Sequence, residues 1–286
     1  MKVLVLGASG MLGNAAMRVL GKTDGIDVYA TVRSPHARMK FDAELQHRFL
    51  VGIDVLNHDS LLMALSQVRP DVVLNCVGLI KQLETANDPL WALPINAMFP
   101  HRLARACELS GARLVHVSTD CVFSGKAGGY TELDLPDATD LYGRSKLLGE
   151  VAYANAITLR TSIIGRELDG QAGLVDWFLA QTGTIKGYTN AIFSGVTTDE
   201  LTKIIVNHVL PDPTLSGVWH VSSTPIAKYD LLLLIRDAYG HDVQILSDGA
   251  LRIDRSLDST LFKSRTGYVP PTWETMIDAM RKLEEK

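Results

Sequence analysis

The sequence predicts an α/β protein: a doubly wound parallel sheet with helices on both faces, followed by a smaller C-terminal lobe. Short apolar runs alternate with helical spacing over residues 2–164, and the first run ends in a glycine-rich loop that opens a helix. Strands that alternate with helices imply right-handed crossovers and parallel pairing. From about Arg166 the alternation loosens. We therefore assign residues 1–165 to the large domain and 166–286 mainly to the lobe, with about 190–225 expected to return to the large domain.

The elements of the first half follow from the spacing of apolar residues. Apolar runs bounded by turn residues predict strands, and apolar positions three and four apart predict helices. The run DVVLNCV, for example, is typical of a strand buried on both faces. We predict strands at 2–6, 28–32, 50–55, 71–77, 113–118 and 157–164, and helices at 11–20, 60–68, 96–109 and 141–154.

The second half is more irregular. The loops GQAG and KGYTNAIFSG interrupt its helices, and the segments GVWHVSS and DVQILSD have the pattern of isolated strands. Helices are predicted at 199–209, 229–239 and 273–284.

Composition excludes several classes of protein. The net charge of −4 argues against a nucleic-acid-binding surface, which is usually basic. No apolar run reaches the roughly 18 residues that span a bilayer, so no membrane partner is expected. The three cysteines lack metal-ligand spacing and are read as free thiols of a reducing cytoplasm. The eight histidines form no HxxxH or HExxH pattern, so no metal site is expected.

The loop GASGMLG has the spacing of a dinucleotide site. Gly7 permits a tight turn, Gly10 lets the backbone approach a pyrophosphate, and Gly13 lets the helix pack closely on the strand. Its place between the first strand and the first helix favours a Rossmann-type cofactor site over a purely structural turn.

The end of the second strand bears on the choice of coenzyme. An acidic residue there would accept from the ribose 2′-hydroxyl of NAD, but this chain has Arg33. Guanidinium pairs well with phosphate, so we predict NADPH, with NADH as an alternative. The other interpretation of Arg33 is a solvated surface arginine. Asp54, with Val55 after it, is placed where a carboxylate meets the adenine amine.

Tyr142 and Lys146, in LYGRSK, lie four positions apart and so share a face of a helix. A nearby cation favours phenolate and lowers a tyrosine pKa from about 10. We therefore expect Lys146 to lower the pKa of Tyr142, so that the phenol exchanges a proton near neutrality. Lys146 is also placed to hold the nicotinamide ribose. The YxxxK spacing alone is common by chance.

Polar residues end the strand that precedes this helix. Ser118, Thr119 and Asp120 follow RLVHV, and the carboxyl end of a parallel strand is where open α/β sheets bind ligands. A hydroxyl there can hydrogen-bond a substrate oxygen while Tyr142 transfers a proton to it. Each residue alone is equally well explained as a strand terminator.

Taken together, GASGMLG, NCVG, STDCVFSG and LYGRSKLLGE resemble the extended short-chain dehydrogenase/reductase family. Within it the chain is most similar to the dTDP-4-dehydrorhamnose reductase group of nucleotide-sugar reductases. The likeness continues through LRTSIIG, GVWHVSS, DRSLDS and GYVPPTW and so covers nearly the whole chain. It implies a Rossmann domain, a C-terminal substrate-binding lobe, and hydride transfer to a C4 ketone.

Carried over by position, the resemblance implies a role for each matching residue. Tyr142 is the general acid, Lys146 its electrostatic partner, and Thr119 the hydroxyl on the C4 oxygen, with Ser118 and Asp120 beside it. The cofactor-binding residues are then Gly7, Ser9, Gly10, Met11, Leu12, Gly13, Arg33, Asp54, Val55, Cys76, Val77, Gly78, Asn96, Tyr142 and Lys146. The substrate-binding residues are Thr119, Cys121, Val122, Phe123, Lys186 and Arg255, with Arg255 a diphosphate ligand.

The chain departs from this group at Cys121, where these reductases often carry tyrosine. A glutamate there would indicate a 4,6-dehydratase, and its absence argues against elimination chemistry. We interpret Cys121 as a small residue of the substrate wall rather than a nucleophile. The sugar is then 4-keto-rhamnose or one with a bulkier 2-acetamido group.

The predicted function is NADPH-dependent reduction of a nucleotide-diphospho-4-keto-6-deoxy sugar for surface polysaccharide, by a cytoplasmic homodimer. A C4 epimerase with bound NAD is the enzymatic alternative. A non-catalytic NADP-binding regulatory subunit is the alternative from another class, because the same fold serves as a partner of methionine adenosyltransferase.

Overall fold

The computed structural model describes residues 1–170 and 172–284. The helices are α1 Met11–Leu20, α2 Pro35–Arg38, α3 His58–Val68, α4 Pro89–Ala92, α5 Phe99–Ser110, α6 Leu141–Leu148, α7 Leu174–Leu179, α8 Thr198–Ile204, α9 Lys228–Tyr239, α10 Thr260–Thr266 and α11 Trp273–Glu284. The strands are β1 Lys2–Leu6, β2 Asp27–Val32, β3 Phe49–Val51, β4 Val72–Asn75, β5 Arg113–Thr119, β6 Ala156–Thr161, β7 Ile163–Ile164, β8 Gly183–Tyr188, β9 Ala191–Phe193, β10 Val196–Thr197, β11 Gly217–His220, β12 Ile226–Ala227, β13 Val243–Asp248 and β14 Ile253–Asp254.

Seven of the strands form one parallel sheet in the order β11-β6-β5-β4-β1-β2-β3. Apolar clusters lie on both of its faces: one includes residues of α1, α8 and α9, the other residues of α3 and α5. This arrangement confirms the predicted doubly wound parallel sheet. From β1 the strands follow one another outward to β2 and β3 on one side and from β4 to β5 and β6 on the other. The carboxyl ends of β1, β4 and β5 therefore border one crevice at this switch point.

The smaller lobe is built from short sheets. β8 pairs with β13 in parallel, and β9 lies between β12 and β14. The prediction that GVWHVSS forms an isolated strand is wrong, because β11 pairs with β6 and extends the large sheet. The expected return of residues 190–225 to the large domain and the boundary near residue 165 both stay predictions.

Several predicted elements are shorter in the structure, among them the third strand and the helix that carries Tyr142. The third strand ends at Val51 rather than residue 55, because Gly52 adopts φ +83° and turns the chain. The helix predicted to reach residue 154 ends at Leu148. A Cβ at Gly149 would lie 1.9 Å from the carbonyl oxygen of Asn96, so this glycine marks a close backbone crossing where the helix stops.

Candidate active site

The glycine loop between β1 and α1 contains glycines that packing requires. Gly7 has φ +79°, and a Cβ there would lie 2.8 Å from Cγ2 of Val77. A Cβ on Gly13 would lie 2.2 Å from the carbonyl oxygen of Gly7, so α1 packs directly on the loop. Gly10 has ordinary dihedral angles, and its Cβ would lie 3.4 Å from the nearest atom. Packing therefore explains Gly7 and Gly13 and leaves Gly10 available to a ligand.

The N-terminus of α1 suits an anion. Within the described residues no side chain caps this end of the helix, and Ser9 and Gly10 are exposed before it. The first N–H groups of an uncapped helix attract negative charge, so the loop fits the pyrophosphate of a dinucleotide. Met11 is half-buried, whereas Leu12 is buried in the core. The predicted contact of Leu12 with the cofactor is therefore one of its backbone, and it stays a prediction.

The residues predicted around the adenosine lie at the ends of β2 and β3. Arg33 directly follows β2 and is exposed. The exposed Asp54 accepts a hydrogen bond from the Leu56 N–H (3.0 Å), so its carboxylate already holds a turn. Val55 is half-buried against the apolar cluster of α3 and α5.

Asn96 ties the loop after β4 to α6. Its Oδ1 accepts from the Leu79 N–H (2.9 Å), and its Nδ2 donates to the Leu79 carbonyl (3.3 Å) and to Oγ of Ser145 (3.2 Å). A Cβ on Gly78 would lie 3.4 Å from Oδ1 of Asn96 and 3.8 Å from Nζ of Lys146. Asn96 thus fixes the wall of the crevice that Lys146 faces.

Asn96 lies in an irregular part of its helix. Residues Leu93–Met98 form a π-helical turn between α4 and α5. Such turns are frequent at functional sites. Beside it, Cys76 and Val77 are half-buried at the end of β4, and burial raises the pKa of the Cys76 thiol well above its ordinary value.

A phenol, a hydroxyl and a buried carboxyl meet beyond the end of β5. Oγ1 of Thr119 donates to Oδ1 of Asp120 (3.2 Å), and the Thr119 side chain lies near enough to the Tyr142 phenol to act on its pKa. Burial raises the pKa of Asp120, although the nearby Arg255 charge opposes the shift. A carbonyl oxygen placed among these groups would meet two hydroxyl donors.

The structure reverses one electrostatic prediction. Burial raises the pKa of Tyr142, the nearby Cys121 and Asp120 raise it further, and the Thr119 side chain only partly opposes them. The prediction that Lys146 lowers this pKa is therefore wrong for the protein alone. A phenol with a raised pKa stays protonated at neutral pH, which suits an acid that donates a proton.

Lys146 is buried beside the same crevice. Its Nζ donates to the carbonyl of Val117 (2.8 Å). Burial lowers its pKa to about 8, although the Glu150 carboxylate acts in the opposite direction. Lys146 therefore remains mostly charged at neutral pH.

Ser118 is separated from its predicted neighbours. Successive residues of a strand point to opposite faces, and its Oγ donates to Oε1 of Glu150 (2.7 Å). It is buried in that position, so a direct role on substrate is corrected to a contact with Glu150.

Val122 and Phe123, predicted to touch the substrate, are fully buried in a small apolar cluster with Tyr130 and Leu257. The rings of Phe123 and Tyr130 stack with centroids 4.2 Å apart. Their side chains therefore support the site from behind. Cys121 is only half-buried, and burial raises the pKa of its thiol to about 12, which argues against a nucleophilic thiolate.

Arg255 and Lys186 are the two basic residues predicted to bind the substrate, and the structure places them differently. Nε of Arg255 donates to the carbonyl of Phe123 (2.9 Å), which brings its charge close to Asp120. Lys186 lies on β8, where its exposed ammonium pairs with Asp248 (3.2 Å) in the two-stranded sheet. The structure thus brings Arg255 to the site and gives Lys186 a partner within the lobe, against the prediction that it binds substrate.

Sequence reasoning missed four charged residues. Asp140 caps α6 by accepting from the Gly143 N–H (2.8 Å), and Lys81 pairs with it (2.9 Å). Glu150 and Arg160 form a buried ion pair behind the site. Asp140 carries an N-cap signal, and Glu150 continues the four-residue spacing of Tyr142 and Lys146. Lys81 and Arg160 are brought in by strand order, which has no local signal.

Neither a metal site nor a membrane-spanning helix is found among the described residues. No group of His, Cys, Asp and Glu side chains in 1–170 and 172–284 is arranged to hold a metal ion. In the same ranges no helix is both long and apolar enough to span a membrane.

The chain is similar to known proteins in its sequence and in its fold. Agl14 of Haloferax volcanii, a probable low-salt glycan biosynthesis reductase, is 27% identical over 98% of this chain and 97% of its own. Methionine adenosyltransferase 2 subunit beta of Mus musculus is 25% identical over 83% of this chain and 72% of its own. The solved structure of dTDP-4-dehydrorhamnose reductase from Bacillus anthracis str. Ames, in complex with NADP, has a TM-score of 0.79 at 23% identity and covers 99% of each chain.

The family model described as "RmlD substrate binding domain" matches residues 1–283. This match spans both the sheet that carries the glycine loop and the lobe that carries Arg255. The chain therefore belongs to the RmlD substrate binding domain family and, with it, to the NAD(P)-dependent oxidoreductases of the extended short-chain dehydrogenase/reductase type.

Proposed function

We propose that the protein uses NADPH to reduce the C4 ketone of a nucleotide-diphospho-4-keto-6-deoxy sugar. The observation that carries this proposal is the meeting of the Tyr142 phenol with the Thr119 hydroxyl, beside the crevice that Lys146 faces. NADPH, when bound, supplies the hydride. Gly7, Gly10 and the uncapped start of α1 would hold its pyrophosphate.

The chain's own residues act on the oxygen of the ketone. Thr119 donates a hydrogen bond to it, and Tyr142 delivers the proton that the emerging alkoxide needs. Lys146 binds the ribose and keeps a positive charge near the phenol as the proton leaves.

Tyr142→Phe is the test of this mechanism. The variant is expected to lose about 10²–10⁴-fold in the rate of NADPH oxidation with a 4-keto sugar, while its affinity for NADPH is unchanged. The control is Tyr153→Phe, because the Tyr153 hydroxyl is bonded to His101 (2.9 Å) away from the crevice. Wild-type turnover in Tyr142→Phe would contradict the assignment.

Arg33 supports the choice of NADPH, since an exposed guanidinium at the end of β2 is placed to pair with a 2′-phosphate. Arg33→Ala is expected to weaken NADPH binding by about 10–150-fold and to leave NADH binding unchanged, because a charged hydrogen bond contributes about 1.5–3 kcal/mol. An unchanged ratio of the two affinities would remove Arg33 from this role.

The sugar is the finer part of the proposal. We propose dTDP-4-dehydrorhamnose or a UDP-2-acetamido-4-keto sugar as substrate, with Arg255 on the diphosphate and the small Cys121 leaving room for a 2-substituent. The name of the archaeal relative supports a role in glycan synthesis, here assigned to surface polysaccharide. Incubation with NADPH and a panel of nucleotide 4-keto sugars, followed at the nicotinamide absorbance, identifies the substrate.

Two other functions are the alternatives to a reductase. The mammalian relative is a subunit of methionine adenosyltransferase, so a regulatory role is the first alternative. A C4 epimerase is the second, and it would consume no NADPH in the panel assay. A chain that binds NADPH but reduces no sugar and shows no epimerase activity would favour the regulatory role.

We also propose a cytoplasmic homodimer. Large apolar residues are exposed along the helical segment from α4 to α5 and on neighbouring α6, among them Leu90, Trp91, Met98 and Leu148. Such a patch is typical of a protein interface. The free cysteines suit a reducing compartment. Trp91→Lys is expected to convert a dimer to a monomer in sedimentation, and a wild type that sediments as a monomer would contradict the proposal.

A further inference from the structure

A buried ionic network lies behind the candidate active site. The Glu150 carboxylate accepts hydrogen bonds from Nε of Arg160 (2.8 Å), from Nη2 of Arg160 (2.6 Å) and from Oγ of Ser118 (2.7 Å). The two charged side chains are only 5% and 7% exposed. We call Ser118, Glu150, Arg160 and His220 the Glu150 network.

Three of these residues are adjacent across the sheet. Ser118 on β5, Arg160 on β6 and His220 on β11 are direct neighbours in register and therefore share one face. Nδ1 of His220 faces the carbonyls of Tyr130 (3.0 Å) and Asp258 (3.2 Å), so Nδ1 carries the hydrogen. Nε2 is then free to accept from Nη1 of Arg160 (3.3 Å). Arg160 is thereby held from both sides.

Ser118, Arg160 and Glu150 of the network each lie next to a residue of the active site, in sequence or in space. Ser118 immediately precedes Thr119 on β5. The Arg160 guanidinium lies 5.4 Å from the centroid of the Phe123 ring, and the carbonyl of Phe123 accepts the hydrogen bond from Arg255. Glu150 follows Lys146 by four residues. The network therefore connects the proton-transfer side of the site to its substrate side.

Hydrogen bonds connect Glu150 to the position of Lys146. Nζ of Lys146 donates to the carbonyl of Val117 (2.8 Å), and the next residue, Ser118, donates its Oγ hydrogen to Glu150 (2.7 Å). His116 of β5 and Glu150 are the titratable groups with which Lys146 interacts electrostatically. The pKa of His116 is held well below its ordinary value, by burial and by the Lys146 charge, so this imidazole is neutral. Against burial, which lowers the pKa of Lys146 to about 8, Glu150 is the carboxylate that raises it.

We propose that Glu150 is a positioning residue whose carboxylate, held by Arg160 and Ser118, maintains the charge and the place of the Lys146 ammonium. The inference rests on the proposed reductase function for its kinetic consequence. Its electrostatic consequence is a property of the protein without ligand, so the two are tested separately.

The central variant is Glu150→Gln, which keeps the shape of the side chain and removes its charge. In ¹³Cε-lysine NMR of the ligand-free protein, we expect the wild-type Lys146 to titrate with a midpoint near pH 8 and the variant at least about one unit lower. The resonance is assigned by its loss in Lys146→Met. The matched control is Glu108→Gln, because Glu108 pairs with Arg105 on the surface of α5 with more than half of each side chain exposed.

The kinetic readout is the pH profile of kcat. A one-unit shift leaves the rate at pH 6 almost unchanged and lowers it roughly fivefold at pH 8, because the fraction of charged lysine falls by that factor. Glu150→Asp keeps the charge and is expected to retain most of the wild-type profile. A purely structural role would instead lower kcat equally at all pH values.

Removal of Glu150 alone leaves Arg160 buried without its partner, which costs stability. Glu150→Gln/Arg160→Gln therefore provides a second, uncharged pair that keeps hydrogen bonds. We expect this variant to unfold at a higher temperature than Glu150→Gln and still to show the lowered Lys146 titration. An unchanged midpoint in the folded variants overturns the proposal, whereas a shifted midpoint in a protein that reduces no sugar overturns only the reductase function.

Discussion

The two sides of the active site are built in different ways. On the cofactor side, neighbouring atoms leave no room for a side chain: a Cβ would lie 2.8 Å from Cγ2 of Val77 at Gly7 and 2.2 Å from the Gly7 carbonyl oxygen at Gly13. On the substrate side, the wall is made of side chains that meet from distant segments, such as the stacked Phe123 and Tyr130 and the Arg255 that reaches the Phe123 carbonyl. The cofactor side depends on a few glycines that have no side chain, and the substrate side depends on contacts among many side chains.

This difference predicts how each side responds to substitution. On the cofactor side a substitution acts locally, because an added methyl group overlaps the atoms next to the glycine. On the substrate side a substitution also displaces neighbouring residues, because each side chain orients the next. The following variants test that contrast, from the largest expected effect to the smallest.

Phe123→Ala should have the largest effect on stability. The ring is fully buried, so its loss is expected to lower the free energy of unfolding by about 3–5 kcal/mol. It should also weaken sugar binding, because the Phe123 carbonyl positions Arg255. Phe178→Ala is the control: that ring is equally buried but packs against His241, so we expect a similar loss of stability in urea and no change in sugar affinity. Equal effects of the two variants on sugar affinity would remove the contrast.

Gly13→Ala and Gly10→Ala separate packing from ligand binding on the cofactor side. A methyl group on Gly13 would overlap the Gly7 carbonyl at 2.2 Å, so we expect a loss of about 1–3 kcal/mol in stability. Gly10→Ala meets no such contact and should fold normally while binding NADPH more weakly. Denaturation and fluorescence titration with NADPH measure the two effects, and a destabilised Gly10→Ala would contradict this division.

Asp140→Ala should have the smallest effect, about 1 kcal/mol, through loss of the N-cap of α6. Burial raises the pKa of Asp140, but the hydrogen bond from Gly143 and the Lys81 ammonium outweigh it and hold the pKa below its ordinary value. A lowered carboxyl pKa means that its stabilisation is complete above the unfolded pKa of about 3.9 and is lost as pH falls through the folded value.

The wild type and Asp140→Ala should therefore differ in melting temperature at pH 7 and converge in strong acid. Asp140→Asn is the control, because asparagine caps a helix without a charge. If the melting temperatures of the wild type and Asp140→Ala differ by the same amount at every pH down to strong acid, the charge of Asp140 contributes nothing to stability.

The sequence was sufficient for the parts of the molecule that depend on local rules. Alternating patterns predicted the parallel sheet, and the spacing of Gly7 and Gly13 predicted a close packing that the structure contains. It was insufficient where distant segments meet. Arg160 lies between Ser118 and His220 only because β6 lies between β5 and β11, and no local pattern encodes that order. The direction of the Tyr142 pKa shift likewise depends on burial, which a four-residue spacing does not reveal.

The π-helical turn at Leu93–Met98 holds one residue more than the α-helical turns on either side of it. Each residue of an α-helix advances the chain by about 100° around the axis. Deletion of a single residue within this turn would restore an uninterrupted α-helix and swing Asn96 about a quarter of a revolution away from Leu79 and Ser145. The extra residue thus sets the direction in which the Asn96 side chain points. A regular α-helix at this position would lose the hydrogen bonds by which Asn96 holds the crevice wall.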